Sequence, residues 1–208
     1  MKPSTLLTSL ILTALALPAI AEEKVVPAKE VEPPCCHEEE ATDAAAGSLY
    51  QLDAKWTNQH GKEVKLSDFK GRPVLLTMGY ASCKFACPRL VADLMAVERS
   101  LTDAEKKQVA FVFVSIDPAR DTPENLATFF KQYNVDQTRW SGLRGDEDGV
   151  LEMSVAIGTR YRKIDNNDFA HSNTLTLLSP SGEIAHQQQG LGTDPAETIA
   201  AMRKLLAK

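Results

Sequence analysis

Two long apolar runs constrain the fold of this 208-residue chain more than any other feature. Pro73 to Tyr80 and Val109 to Ile116 have the length and the β-branched and aromatic content of strands buried on both faces. Between them, Leu90, Val91, Leu94, Met95, Val97 and Leu101 recur at helical spacing over Pro88 to Leu101. A second helix is expected to start near Asp121-Thr122-Pro123-Glu124, where a cap residue, a first-turn proline and an acid stand together. Downstream, Val150 to Ile157 fits a shorter helix. Asn173 to Leu178 and Glu183 to Gln189 fit a hairpin across Pro180-Ser181-Gly182, and Pro195 to Leu206 a closing amphipathic helix. Upstream, Tyr50 to Trp56 and Glu63 to Leu66 read as an N-terminal hairpin around Asn58-Gln59-His60-Gly61. The pattern predicts an α/β fold with a mixed central sheet flanked by helices and an N-terminal hairpin extension. No internal repeat, Gly-rich phosphate loop or second domain is visible.

Charge divides the chain. Residues 1–21 carry one charge, Lys2, then an apolar stretch from about Leu6 to Leu17 and the small residues Ala19-Ile20-Ala21. That is the pattern of a cleaved signal peptide. The stretch is interrupted by Thr8, Ser9 and Thr13 and is shorter than the roughly 20 apolar residues that cross a bilayer. The product is expected to be exported or periplasmic, not membrane-spanning after signal removal, and monomeric. Residues 22–47 form an acidic tail with eight carboxylates against two lysines, three prolines and no aromatic residue, a composition expected to stay disordered. Residues 48–208 form the domain. A net charge of −5 leaves no basic excess for nucleic acid.

Four cysteines are too few for a disulfide scaffold, and their placement is chemical: Cys35 and Cys36 adjacent, Cys83 and Cys87 four apart. Pro88 favours a first-turn helical position, which puts Cys87 near the cap and Cys83 in the preceding loop. The positive end of the helix and Lys84 nearby are expected to lower both thiol pKa values. Thiolates serve redox exchange and soft-metal binding alike; two inert hydrophobes or a structural disulfide would use the same residues.

Cys83-Lys84-Phe85-Ala86-Cys87-Pro88, Ser115-Ile116-Asp117-Pro118-Ala119-Arg120-Asp121-Thr122-Pro123-Glu124 and Asp168-Phe169-Ala170-His171-Ser172 resemble, in order and spacing, the three signature stretches of the Sco/SenC family. The resemblance runs from about Leu49 to Leu206. It implies a thioredoxin-like fold, a role in cytochrome c oxidase assembly, and copper held by Cys83, Cys87 and His171. Members usually carry proline after the first cysteine and often an acid further on, where this chain has Lys84, Phe85 and Ala86. Most also keep a membrane anchor.

Two thiolates and an imidazole select soft or borderline metals such as copper or zinc, and three ligands leave room for a partner's. The expected function is a copper-binding metallochaperone, with Cu(I) or Cu(II), serving a respiratory cuproenzyme or another copper chaperone. The alternative is a thiol–disulfide reductase using Cys83 and Cys87 as its redox pair, for which His171 is dispensable. The proline that such oxidoreductases usually carry beside their cysteines is missing before Asn173. A peroxidase is excluded because Thr77 lies six residues before Cys83, not three. Cys35, Cys36 and His37 are a candidate second copper site. Asp165 and Asp168 are candidate acceptors for His171. His60 and His186 are expected to face water, and Trp56, Trp140, Phe111, Phe113, Phe129 and Phe130 to fill the core.

Overall fold

The two apolar runs become neighbouring central strands in the computed structural model, which describes residues 47–164 and 168–207. The leader, nearly all of the acidic tail with Cys35, Cys36 and His37, and Asp165 lie outside the described residues. Strand β3 (Val74–Gly79) runs parallel to β4 (Ala110–Ser115), in register from Val74 opposite Ala110 to Gly79 opposite Ser115. Every residue of both strands is buried, which is why neither shows polar alternation.

The chain leaves β3 through α1 (Ala86–Arg99) and α2 (Asp103–Lys106), and leaves β4 through α3 (Pro123–Gln132). Thr122 caps α3 by accepting from the Asn125 N–H, with Pro123 just inside. The crossover ends in β5 (Trp140–Arg144), parallel to β4. Sequence periodicity misses β5 because its five residues include Ser141, Gly142 and Arg144. Gly142 packs closely there, since a Cβ would stand 3.1 Å from the Phe130 ring.

Next come α4 (Glu147–Ala156), capped by Asp146, and the short pair β6 (Tyr161–Lys163) and β7 (Phe169–His171). β8 (Thr174–Leu178) runs antiparallel to β3, β9 (Ile184–Gln189) antiparallel to β8, and α5 (Ala196–Leu206) closes the chain. With β1 (Trp56–Asn58) and β2 (Glu63–Val64), the sheet order is β2-β1-β5-β4-β3-β8-β9. The expected mixed α/β sheet is present, and the N-terminal hairpin extends it at one edge. The expected first strand shifts: Leu49–Gln51 is a 3-10 turn capped by Ser48, and Leu49 N–H is tied to Gly182 O, so the strand begins only at Trp56. All six aromatic residues assigned to the core are buried.

Candidate metal centre

The sequence around Cys87 is shaped by close packing at the C-terminal end of β3. Cys87 is fully buried, and its Sγ accepts the Tyr80 N–H at 3.3 Å. A Cβ at residue 79 would lie 2.9 Å from that sulfur, so only glycine fits there. The helix starts slightly earlier than Pro88 implies: Phe85 is the N-cap, Cys87 the second helical residue and Pro88 the third. Proline is tolerated at that position because the first N–H groups have no acceptor within the helix. Cys83, half-exposed, sits in the loop before it, with its N–H on Tyr80 O at 3.2 Å and its Sγ accepting the Cys87 N–H at 3.4 Å.

His171 ends β7, 84 residues away in sequence from Cys87, and its Nε2 stands 3.6 Å from Cys87 Sγ. Its Nδ1 lies 3.0 Å from Ser172 O, so Nδ1 carries the proton and Nε2 faces the sulfurs. The three donor atoms all lie within 4.8 Å of one another, and this is the only such trio among the described residues. An ion with bonds of about 2.3 Å to sulfur and 2.0 Å to nitrogen, at a trigonal to tetrahedral angle, would hold the nitrogen about 3.5–3.7 Å from each sulfur. The observed 3.6 Å matches.

The two thiols do not behave alike, contrary to the expectation that both would be acidified. Cys83 is held well below the ordinary thiol range, chiefly by the hydrogen bond from Cys87; His171 and the backbone N–H groups of Cys87 and Phe85 add to this against the effect of burial. Cys87 is pushed up, by its hydrogen bond to Cys83 and by burial. The metal-free reduced pair is therefore one thiolate and one thiol. Burial would lower the His171 pKa, but the Cys83 thiolate, the Ser172 carbonyl and the charge of Asp168 together raise it.

Polar contacts from β4, its following loop and the His171 segment hold the loop in place. Asp121, 1% exposed, accepts from the Ala81 N–H at 3.0 Å and from the Ser115 hydroxyl at 2.6 Å. Tyr80 donates to Asp168, and the Ser172 carbonyl rather than that carboxylate accepts from Nδ1 of His171. His60 is exposed in its turn, and His186 is half-buried on β9 rather than open to water. Phe85, between the two cysteines, is 86% exposed.

The SCO1/SenC sequence pattern matches residues 40–207. The chain belongs to the SCO1/SenC family. A SCO1/SenC family lipoprotein from Bacillus anthracis is 26% identical and superposes with a TM-score of 0.68, covering 76% of this chain and 95% of its own. The mitochondrial SCO2 homologue of Bos taurus is 30% identical over 139 residues, 64% of this chain and 51% of its own. ScoI of Bradyrhizobium japonicum, solved with copper bound, shares the fold at 23% identity and a TM-score of 0.60, over 73% of this chain and 96% of that one. The chain spans about half to three quarters of the length of the curated relatives it matches. The fold is thus thioredoxin-like.

For this SCO1/SenC protein, the unequal thiols predict selective alkylation. In a reduced, metal-free Cys35→Ser/Cys36→Ser variant, iodoacetamide modifies Cys83 and spares Cys87. The rate should stay nearly flat from pH 8 to pH 6, where an ordinary thiol of pKa about 8.5 slows by nearly a hundredfold. Equal labelling of both cysteines by peptide mass mapping would contradict the split.

Proposed function

We propose that this protein is an exported copper carrier that binds one copper ion through Cys83, Cys87 and His171. It passes that ion to, or prepares the copper site of, a respiratory cuproenzyme such as cytochrome c oxidase. The observation that carries the reading is the convergence of two sulfurs and an imidazole nitrogen within 4.8 Å, where the half-exposed loop of Cys83, the buried first turn of α1 and the end of β7 meet. Such donors are soft enough for Cu(I), and three of them leave a coordination position for the donor or recipient. The copper-bound ScoI of Bradyrhizobium japonicum supports the choice of metal. Exposed Phe85 beside Cys83 supplies an apolar contact that a recipient would cover during transfer. No described helix is long and apolar enough to cross a membrane, and export rests on the leader-like residues 1–21.

The tail triplet Cys35-Cys36-His37 is assigned a second, weaker Cu(I) site, since two thiols and an imidazole in sequence can ligate without a fold. Anaerobic Cu(I) titration of the reduced protein lacking residues 1–21 tests both assignments. Two equivalents are expected in that protein and one in its Cys35→Ser/Cys36→Ser variant. One equivalent in both removes the tail site; none in the variant overturns the carrier.

The split between Cys83 and Cys87 also favours a second reading, reduction of a partner's disulfide. The Cys83 thiolate would attack one partner sulfur, and Cys87 would resolve the mixed disulfide. Two electrons pass to the partner, whose cysteines leave reduced while Cys83 and Cys87 end as a disulfide.

A further inference from the structure

Strands β6 and β7 pair only with each other, three residues each, outside the seven-stranded sheet. A two-stranded ribbon of that size is not stable by itself in water, yet it carries His171. One residue at the end of the main sheet meets it at three points. Tyr80, just beyond β3 and 3% exposed, donates its hydroxyl to Asp168. Its ring packs 5.3 Å from Phe169 and meets the His171 ring edge-on at 5.9 Å and 83°. The same residue holds the cysteines through its backbone: its N–H lies on Cys87 Sγ and its carbonyl takes the Cys83 N–H. Arg120, ion-paired to Asp117, lies 5.9 Å from the Tyr80 ring centre and restrains it. The Asp168 carboxylate is itself oriented, because the same oxygen accepts the Phe169 N–H at 3.0 Å.

Resting on the copper reading above, we propose that Tyr80 and Asp168 are positioning residues that fix His171 against the two sulfurs and thereby favour retention of Cu(II) over Cu(I). Cu(I) is satisfied by two thiolates, whereas Cu(II) depends on the added nitrogen and on a tetragonal arrangement. Whatever loosens the His171 ribbon therefore weakens Cu(II) and largely spares Cu(I). Neither side chain needs to touch the ion. The hydroxyl–carboxylate bond joins the element holding the nitrogen to the element holding the sulfurs.

The test uses the reduced protein lacking residues 1–21, with Cys35→Ser/Cys36→Ser as background, titrated separately with Cu(II) and Cu(I) against competing chelators. Tyr80→Phe keeps the ring and removes the hydroxyl; Asp168→Ala removes the acceptor; Asp168→Asn keeps an acceptor oxygen. Tyr80→Phe and Asp168→Ala should each weaken Cu(II) about tenfold or more, as expected for one lost hydrogen bond to a charged group. Both should shift the sulfur-to-Cu(II) absorption, while Cu(I) affinity changes less than threefold. The double variant should be no weaker than Asp168→Ala alone, because Tyr80→Phe removes a bond that variant has already lost, and Asp168→Asn should recover most of the affinity. Wild-type Cu(II) affinity and absorption in Tyr80→Phe and Asp168→Ala would overturn the proposal, and so would equal weakening of both oxidation states. If the background protein itself binds no Cu(II), the copper reading has failed instead. The metal-free His171 ring resonances then decide the positioning role: displaced in Tyr80→Phe and Asp168→Ala it stands, unmoved it falls.

Discussion

His171→Ala should lower Cu(II) affinity at least a hundredfold while leaving two alkylatable core thiols and an intact fold. Loss of a partner that merely orients a ligand already costs ten- to a hundredfold in typical metal sites, so loss of a ligand sets a higher floor. The fold should tolerate the change, because the ring's contacts are confined to the site, Tyr80 and the neighbouring Ser172 carbonyl. The pH dependence gives a second readout. Binding must displace the proton of Cys87, whose pKa is raised by Cys83 and burial, and any proton on His171, whose pKa is also raised. Raised values mean that protons compete with the metal, so wild-type affinity climbs as pH goes from 6 to 8. Its slope lies between one and two protons, that is, between ten- and a hundredfold per pH unit. His171→Ala should retain only the slope of Cys87, near one proton. A chelator-competition series at several pH values measures both quantities. Unchanged affinity, spectrum and slope would remove His171 from the ligand set and leave the disulfide-reductase reading in possession of the cysteine pair.

Most of the architecture is legible in the sequence because β3 and β4 are central and parallel, so their burial is written as uninterrupted apolar runs. Less legible is β5, where Gly142 packs against Phe130 and Ser141 and Arg144 interrupt the apolar pattern. The two cysteines could be picked out because a strand-to-helix loop carrying both is conspicuous, whereas His171 is reached only through the resemblance of Asp168 to Ser172 to the family's third signature stretch. Tyr80 and Asp121 could not. Their roles arise from contacts spanning 88 residues, between Tyr80 and Asp168, and 40 residues, between Ala81 and Asp121. The opposite behaviour of the two thiols was hidden for a different reason, since it arises from a contact only four residues apart. Helix position and Lys84 argue for acidifying both, but the direct hydrogen bond between the cysteines gives the charge to one and the proton to the other.

Oxidation of Cys83 and Cys87 to a disulfide should abolish copper binding at the core, lowering affinity at least a thousandfold and reversibly. Both cysteines are free, with their sulfurs within 4.8 Å. Joining them requires an S–S bond of about 2.0 Å, and the two residues are unequally able to move. Cys87 is fully buried in the first turn of α1, packed against Gly79; Cys83 is half-exposed in the loop. The loop therefore closes onto the helix, away from the position in which Cys83 shares a metal with His171. Each sulfur also gives up the negative charge that makes it a ligand, leaving one imidazole, which alone holds copper weakly. Two electrons leave to the oxidant, and the Cys87 proton is released. Stabilisation of the Cys83 thiolate favours the reduced state, so the couple should be more oxidising than the structural disulfides found below about −300 mV. The measurement is copper loading of the Cys35→Ser/Cys36→Ser protein before oxidation, after it, and after re-reduction, with thiols counted at each stage. Loading should fall from one equivalent to none and return with the thiols. Full loading in protein with no titratable thiol would show that Cys83 and Cys87 are not the ligands.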